Sequence, residues 1–204
     1  MKKTLICNIP MREQVEPVIY TSDDQSIPIS NRKVRFPICA FLEKTLTAED
    51  EIKAIALVKK DKYGHYKKNA TLFQDELMKA NLSGAKIDYT VIDTDFQETR
   101  LVYEQLMGKI VEKISIGSHI LVDSTYGPKD MPIIVFTALN FAEKFLDCTV
   151  DNIIYGQASF FEGQVVDTKI CDMMPLYCLA VLTNTIQCTD PEKAKSMLKA
   201  LLSL

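Results

Sequence analysis

The chain has 204 residues and a formal net charge of −3 at neutral pH, with 47% hydrophobic and 25% charged residues. These values are typical of one globular domain and exclude a disordered or fibrous chain. The acidic balance and the presence of only four arginines exclude the broad basic surface that grips duplex nucleic acid. We therefore expect an anionic ligand to be held locally, by a few groups.

The six cysteines are spread along the chain, without a Cys-x-x-Cys pair or a cysteine–histidine cluster. This pattern does not fit a zinc site, so we expect buried thiols, no metal and no cofactor. The apolar run at the start breaks at Asn8-Ile9-Pro10, which is too early for a signal peptide. No apolar stretch approaches the roughly 20 residues of a membrane span, so we expect a cytoplasmic protein that does not contact membranes.

Apolar runs of strand length alternate with helical patterns along most of the chain. The predicted strands are 4–9, 52–58, 87–92, 119–122 and 152–155. The predicted helices are 36–46, one carrying Leu72, Phe73, Leu77 and Met78, 98–114 with Leu101, Val102, Leu106 and Ile110, and 132–146. A hairpin over 159–169, centred on Glu162-Gly163, and helices over 172–185 and 191–202 complete the order.

This alternation predicts an α/β fold with a Rossmann-like, doubly wound, mainly parallel sheet and helices on both faces. We expect a single domain over 1–204, with a core over 1–157 and a hairpin and helical extension over 158–204. In the strand order 3-2-1-4-5, ligands bind beyond the carboxyl ends of strands 1 and 4, where the topology reverses.

Two loops follow the strands at that point. The first is 8–12, with Asn8, Ile9, Pro10, Met11 and Arg12, and the second is 123–132. The first has no glycine-rich fingerprint, and the chain has no Walker-type Gly-Lys-Ser/Thr. A dinucleotide cofactor or a nucleoside triphosphate is therefore not expected.

The second loop has the composition of an anion site. Gly127 allows close backbone approach, Thr125 and Tyr126 offer hydroxyl groups, and Lys129 brings a charge to the start of a helix. The alternative is structural: Gly127-Pro128 makes a tight turn, Lys129 is a solvated cap, and Asp123 is a turn former.

The sequence Asp-Ser-Thr-Tyr-Gly-Pro-Lys-Asp-Met-Pro at 123–132 resembles the Asp-x-Thr-x-Gly-x-Arg/Lys-x-x-Pro signature of CARF domains, the CRISPR-associated Rossmann folds. Asn152-Ile153-Ile154-Tyr155-Gly156 is similar to the strand and Tyr-Gly ending of that family. The strand-1 loop, followed by Tyr20, is similar in placement to the family's first ligand loop.

The resemblance implies a homodimer that binds a cyclic oligoadenylate, the second messenger of type III CRISPR antiviral signalling, across its two-fold axis. Cyclic tetra-adenylate is the expected ring, because four phosphates divide evenly between two subunits. The implied ligand contacts are the five residues of the first loop together with Thr125, Tyr126, Gly127, Pro128, Lys129, Met131 and Tyr155.

Two functions compete. Family members usually carry an effector domain, and because we expect none here, the first hypothesis is a metal-independent ring nuclease. In it the 2′-hydroxyl of the ligand attacks the neighbouring phosphorus and leaves a 2′,3′-cyclic phosphate, with Lys129, Thr125 and Tyr126 stabilising the phosphate. The alternative is a non-catalytic sensor or regulator, or the sensor half of a longer effector.

Several other features have a structural and a functional interpretation. The charged segment 59–68 is expected to be a solvated loop rather than a base-stacking surface, and 10–33 to be either a lid or an insertion. His119 is expected in the core and His65 on the surface. Asp93, Asp95 and Glu98 are expected to cap a helix. Met197, Leu198, Leu201 and Leu202 are expected to pack in a core rather than against a partner.

Overall fold

Strands and helices alternate as the apolar runs predict. The computed structural model describes residues 1–95, 97–162 and 164–203. The elements in chain order are β1 (Lys2–Asn8), α1 (Pro37–Thr45), β2 (Glu51–Lys59), α2 (His65–Ala80), β3 (Lys86–Thr94), α3 (Arg100–Lys113), β4 (His119–Asp123), α4 (Asp130–Phe145), β5 (Thr149–Phe161), β6 (Gln164–Asp172), α5 (Met174–Thr185) and α6 (Pro191–Leu202).

The six strands form one sheet in the order β3-β2-β1-β4-β5-β6. The first five are parallel, and β6 is antiparallel to β5. The predicted order and the reversal between β1 and β4 are confirmed. Cys7 pairs with Asp123 in the register of these two strands, so both reach the same carboxyl edge of the sheet.

Helices cover both faces of the sheet, because right-handed crossovers place α1 and α2 on one side and α3 and α4 on the other. In agreement, α1 packs against α2 and α3 packs against α4. The central strands are buried on both faces, with Leu5, Ala54 and Ile55 fully enclosed. The fold is therefore an α/β, Rossmann-like architecture.

The segment 10–36 is packed onto this core. Tyr20, Ile27 and Val34 are buried in the same cluster as residues of β1, β2, α1 and α2. Val18 and Val34 form an antiparallel bridge, and Thr21 bridges to Lys169 of β6. The segment 10–36 is thus held by buried side chains and by backbone hydrogen bonds, so it is a fixed part of the fold rather than a mobile lid.

The chain divides into two compact units, 1–172 and 173–204. The β5–β6 hairpin belongs to the first; Gly163, in its predicted turn, lies outside the described residues. The second unit contains α5 and α6, and the carboxylate of Asp190 caps α6 by accepting the amides of Glu192 and Lys193. No residue of α6 is buried, which contradicts the expected core packing of its apolar stripe.

Among the described residues, no helix combines the length and the apolar character that crossing a bilayer would require.

Several local expectations were wrong. His119 is not in the core: its Nδ1 lies 3.0 Å from the Asp151 carboxylate, at the amino end of the sheet. Thr99 caps α3 with its hydroxyl, whereas the three carboxylates before it face lysines. Cys178 is exposed and Cys171 and Cys188 are partly so, although Cys7, Cys39 and Cys148 are buried free thiols as expected. Met78 and Leu101 face outwards from their helices, whereas Leu77 and Leu106 are buried.

Candidate functional site

The turn after β4 is fixed by the carboxylate of Asp123, which is fully buried. One oxygen accepts the amide of Thr125 at 2.9 Å, and the other accepts the amide of Ile38, in the first turn of α1, at 3.1 Å. Burial raises the pKa of Asp123, although these bonds oppose the shift. The carboxylate therefore joins the turn to the start of α1, which agrees with the structural interpretation of this residue.

The two hydroxyl residues of the turn are both bonded to backbone. Thr125 Oγ1 accepts the amide of Gly156 at 2.8 Å, and the hydroxyl of Tyr126 donates to the carbonyl of Arg35 at 2.7 Å. Burial raises the pKa of Tyr126 to about 12, and Tyr20, whose pKa is also raised by burial, is paired with it. The hydroxyl of Tyr126 is thus a neutral structural donor, and the side chain of Thr125 also serves the turn, because it hydrogen-bonds the Asp123 carboxylate as well as the amide of Gly156.

A cavity of about 370 Å³ opens beside this turn, beyond the carboxyl ends of β1 and β4 and alongside the second half of β5. Its size falls within the range of about 300–1,000 Å³ typical of small-molecule sites. The lining includes residues expected from the sequence: Arg12, Tyr20, Thr125, Tyr126 and Tyr155. A larger opening of about 520 Å³ lies at the amino ends of β1, β2 and β3, the wrong edge for a doubly wound sheet.

Arg12 is the cation of the cavity. Its guanidinium carbon lies 5.3 Å from the centroid of the Tyr126 ring, as in a cation–π contact. Among the ion pairs of the described residues, none involves Arg12. An exposed guanidinium held on an aromatic face and unpaired by a carboxylate is suited to bind a phosphate.

Lys129 lies outside the lining of this cavity. It is the residue before α4, it is exposed, and its side chain caps nothing in the helix. It is also absent from the ion pairs formed within the described parts of the chain. The site therefore has one cation, Arg12, in the cavity and a second, Lys129, at the start of α4. The exposure of Lys129 also agrees with the structural alternative, in which this lysine is a solvated residue at the helix start.

Several expected contacts are covered by other parts of the protein. Ile9 and Met131 are each 1% exposed, and Pro10 is also buried, so their side chains shape the loops rather than line the cavity. Met11 and Pro128 are half-buried, and Gly127 is exposed.

Asn8 is different from these buried neighbours because its side chain is polar. It is 1% exposed, and neither its Oδ1 nor its Nδ2 has a hydrogen-bond partner in the described structure. Gly127, with φ near +89°, passes directly over it, and a Cβ on Gly127 would lie 3.4 Å from the Cβ of Asn8. An unbonded buried amide is costly, so this position is one that a bonding partner would stabilise.

Asn69 of α2 positions the first loop, and the sequence did not single it out. Its Nδ2 donates to the carbonyls of Pro10 and Arg12, both at 2.8 Å, and the residue is fully buried. Only its place on the same face of α2 as Phe73 and Leu77 could have drawn attention to it.

Lys59 does not lie in a solvated loop, contrary to the expectation from the sequence. It ends β2, is 2% exposed, and its ammonium lies 2.8 Å from the carboxylate of Asp130 in the first turn of α4. The loop after β2 is shorter than expected because α2 already begins at His65. The pair anchors the start of α4 beside the turn.

The remaining lining comes from two segments that sequence patterns did not connect. The first segment contributes Gln14, Glu16 and Val18, and the hairpin contributes Gly156, Ala158, Val165 and Thr168. No protein-family model matches the chain, and no curated protein matches it.

Proposed function

We propose that the protein binds a cyclic oligoadenylate, with cyclic tetra-adenylate preferred, in type III CRISPR antiviral signalling. The observation that carries the proposal is the cavity at the topological switch point, where an unpaired arginine stands beside the turn that resembles the CARF signature. The buried, unbonded amide of Asn8 lies under Gly127 of the same turn.

The ligand is held between two copies of the chain. A cavity of about 370 Å³ suits one nucleotide rather than a whole ring, so a ring needs more than one such site. A two-fold symmetric ring presents the same groups to each subunit of an isologous dimer, so each cavity acts twice.

In the enzymatic form of the proposal, the protein opens the ring without a nucleophile of its own. The 2′-oxygen of the ligand forms a bond to phosphorus while the bond to the 5′-oxygen breaks; water takes the 2′ proton and supplies one to the 5′-oxygen. Arg12 and Lys129 stabilise the charge that rises on the phosphate. Tyr126 supports Arg12 instead of donating to the phosphate, because its hydroxyl is bonded to the carbonyl of Arg35.

A specific observation favours the second candidate, a non-catalytic sensor. Of the three groups expected to act on the phosphate, Tyr126 is committed to backbone and Lys129 lies outside the cavity lining. A site with this arrangement can still bind the messenger and shift the population of a dimer geometry.

Binding and cleavage are tested together with cyclic tri-, tetra- and hexa-adenylate, in the presence of a chelator, by calorimetry and by separation of the products. We expect the tetra-adenylate to bind most tightly and Arg12→Ala to weaken it by about 1.5–3 kcal/mol. Arg100→Ala, which removes an exposed pair with Glu104 on α3, is the control and should bind as the wild type does.

Linear products with 2′,3′-cyclic phosphate ends identify the ring nuclease, and binding without products identifies the sensor. If none of the three rings binds, the proposal is wrong. If the protein stays monomeric at micromolar concentration with the ring bound, the two-copy arrangement is wrong.

A further inference from the structure

The cavity has two facing walls that come from distant parts of the chain. Gln14 and Glu16 lie on the segment 10–36, and Ala158, Val165 and Thr168 lie on the β5–β6 hairpin. The walls are joined: the amide of Thr21 donates to the carbonyl of Thr168 at 3.0 Å, and the amide of Ile170 donates to the carbonyl of Thr21 at 2.8 Å. The distance between the walls is therefore fixed before a ligand arrives.

The walls have the chemistry of a slot for a flat ring. Val18, Ala158 and Val165 supply apolar surface, and Tyr155, which is 39% exposed, supplies an aromatic face. Nucleobases stack on such faces and fill apolar slots regardless of their identity. Shape and stacking alone would thus accept any purine.

A negative group in the lining provides the means to choose between purines. Glu16 is exposed and lines the same cavity as Arg12. Glu16 and Arg12 do not form an ion pair with each other. Within 1–95, 97–162 and 164–203, the carboxylate of Glu16 forms no ion pair or hydrogen bond with any other residue. A cavity that carries one unpaired cation and one unpaired anion fits a ligand with a phosphate and an amino group.

We propose that the cavity is a nucleobase subsite for adenine and that Glu16 determines its specificity, by accepting a hydrogen bond from the 6-amino group. The inference rests on the proposed function and names the part of the ligand that this cavity holds. The carboxylate is acceptor-only when ionised, so it bonds an amino group and repels a carbonyl oxygen at the same position. Hypoxanthine and guanine, which carry that oxygen, bind more weakly when the 6-position of the base faces Glu16.

The test compares cyclic tetra-adenylate with the same ring built from inosine, which exchanges the 6-amino group for a carbonyl oxygen. For the wild-type protein we expect the adenylate ring to bind at least about tenfold more tightly, because the wrong ring leaves a charged acceptor unpaired. Glu16→Gln retains the shape of the side chain but can donate a hydrogen bond to a carbonyl oxygen. In this variant the preference for the adenylate ring over the inosine ring should fall to about onefold or reverse.

Glu13→Gln is the matched control. Glu13 is exposed on the same segment, three residues earlier, and does not line the cavity. The Glu13→Gln variant should therefore prefer the adenylate ring over the inosine ring as strongly as the wild type does. Circular dichroism verifies that the variants fold, as expected for changes at exposed positions.

The failures can be told apart. If the wild type binds the adenylate ring but Glu16→Gln keeps the full preference, Glu16 does not read the base, and the proposed function stands. A preference lost in Gln14→Ala and kept in Glu16→Gln would assign the reading to Gln14 and overturn the inference. If the wild type binds neither ring, the proposed function fails and the subsite fails with it.

Discussion

The side-chain amide of Asn69 lies 2.8 Å from the carbonyl oxygen of Arg12, so a buried residue of α2 fixes the backbone of the residue that supplies the cavity's cation. The same nitrogen also bonds the carbonyl of Pro10. Two backbone carbonyls thus depend on the same side-chain amide.

Asn69→Ala should lower the free energy of unfolding by about 1–3 kcal/mol, since it leaves a buried carbonyl unpaired, and it should weaken binding of cyclic tetra-adenylate. Denaturant unfolding and calorimetry measure the two effects. Asn140→Ala, which removes one bond to Phe136 within α4, should cost less and leave binding unchanged. Wild-type affinity in a folded Asn69→Ala would show that the loop needs no such support.

Lys129→Ala should weaken binding of the messenger by about 1.5–3 kcal/mol, the range for a charge-assisted hydrogen bond. It should change stability by less than about 0.5 kcal/mol, because the side chain is exposed. In a ring nuclease it should also slow single-turnover cleavage of bound ring, because the charge on the phosphate rises in the transition state.

Lys144→Ala, in the last turn of α4, is the control for Lys129→Ala. It should change neither the affinity for the messenger nor the stability of the protein. Unchanged affinity in Lys129→Ala would mean that the messenger does not reach the start of α4.

Gly156→Ala should destabilise the protein by about 1–3 kcal/mol by overpacking. The added methyl group would stand 2.4 Å from Cγ of Pro37, 3.1 Å from Tyr20 and 3.2 Å from Thr125, and the last two line the cavity. The control is Gly108→Ala on α3, which meets nothing within 4 Å and should stabilise the helix by about 0.5–1 kcal/mol. Equal thermal stability of the two variants would contradict this packing.

Asp50 should make the stability of the protein depend on pH. Burial favours its neutral form, but bonds from the Lys3 ammonium, at 2.7 Å, and from the amide of Thr47, at 2.9 Å, outweigh burial and hold the pKa of Asp50 below its ordinary value. A lowered native pKa contributes stability above the ordinary carboxyl range, and that contribution is lost as the pH falls through the native pKa.

The measurement is the free energy of unfolding from about pH 7 down to about pH 3 for the wild type and for Asp50→Asn. The stability difference between them should shrink on acidification. Asp88→Asn, at an exposed position on β3, should keep the pH profile of the wild type. Parallel profiles for the wild type and Asp50→Asn would contradict the role of Asp50.

The strand order was predictable because each strand is a run of apolar residues bounded by a helix pattern, and the winding rules then leave few topologies. The turn between β4 and α4 was predictable from its residue types. The burial of Lys59 was not predictable, because a lysine at the end of a strand has the same sequence pattern whether its ammonium is solvated or paired with Asp130. Glu16 and Thr168 could not be connected, since periodicity reports neighbours along one element and not pairs far apart in the chain.

The bridge between Thr21 and Lys169 joins residues separated by most of the chain. Contacts of such separation pay a large loop-closure entropy, and they form late because the intervening elements must be in place first. During synthesis the segment 10–36 leaves the ribosome long before its partner on β6. We therefore expect the cavity to be among the last features of the fold to be completed. A chain interrupted before β6 lacks the wall that Thr168 provides.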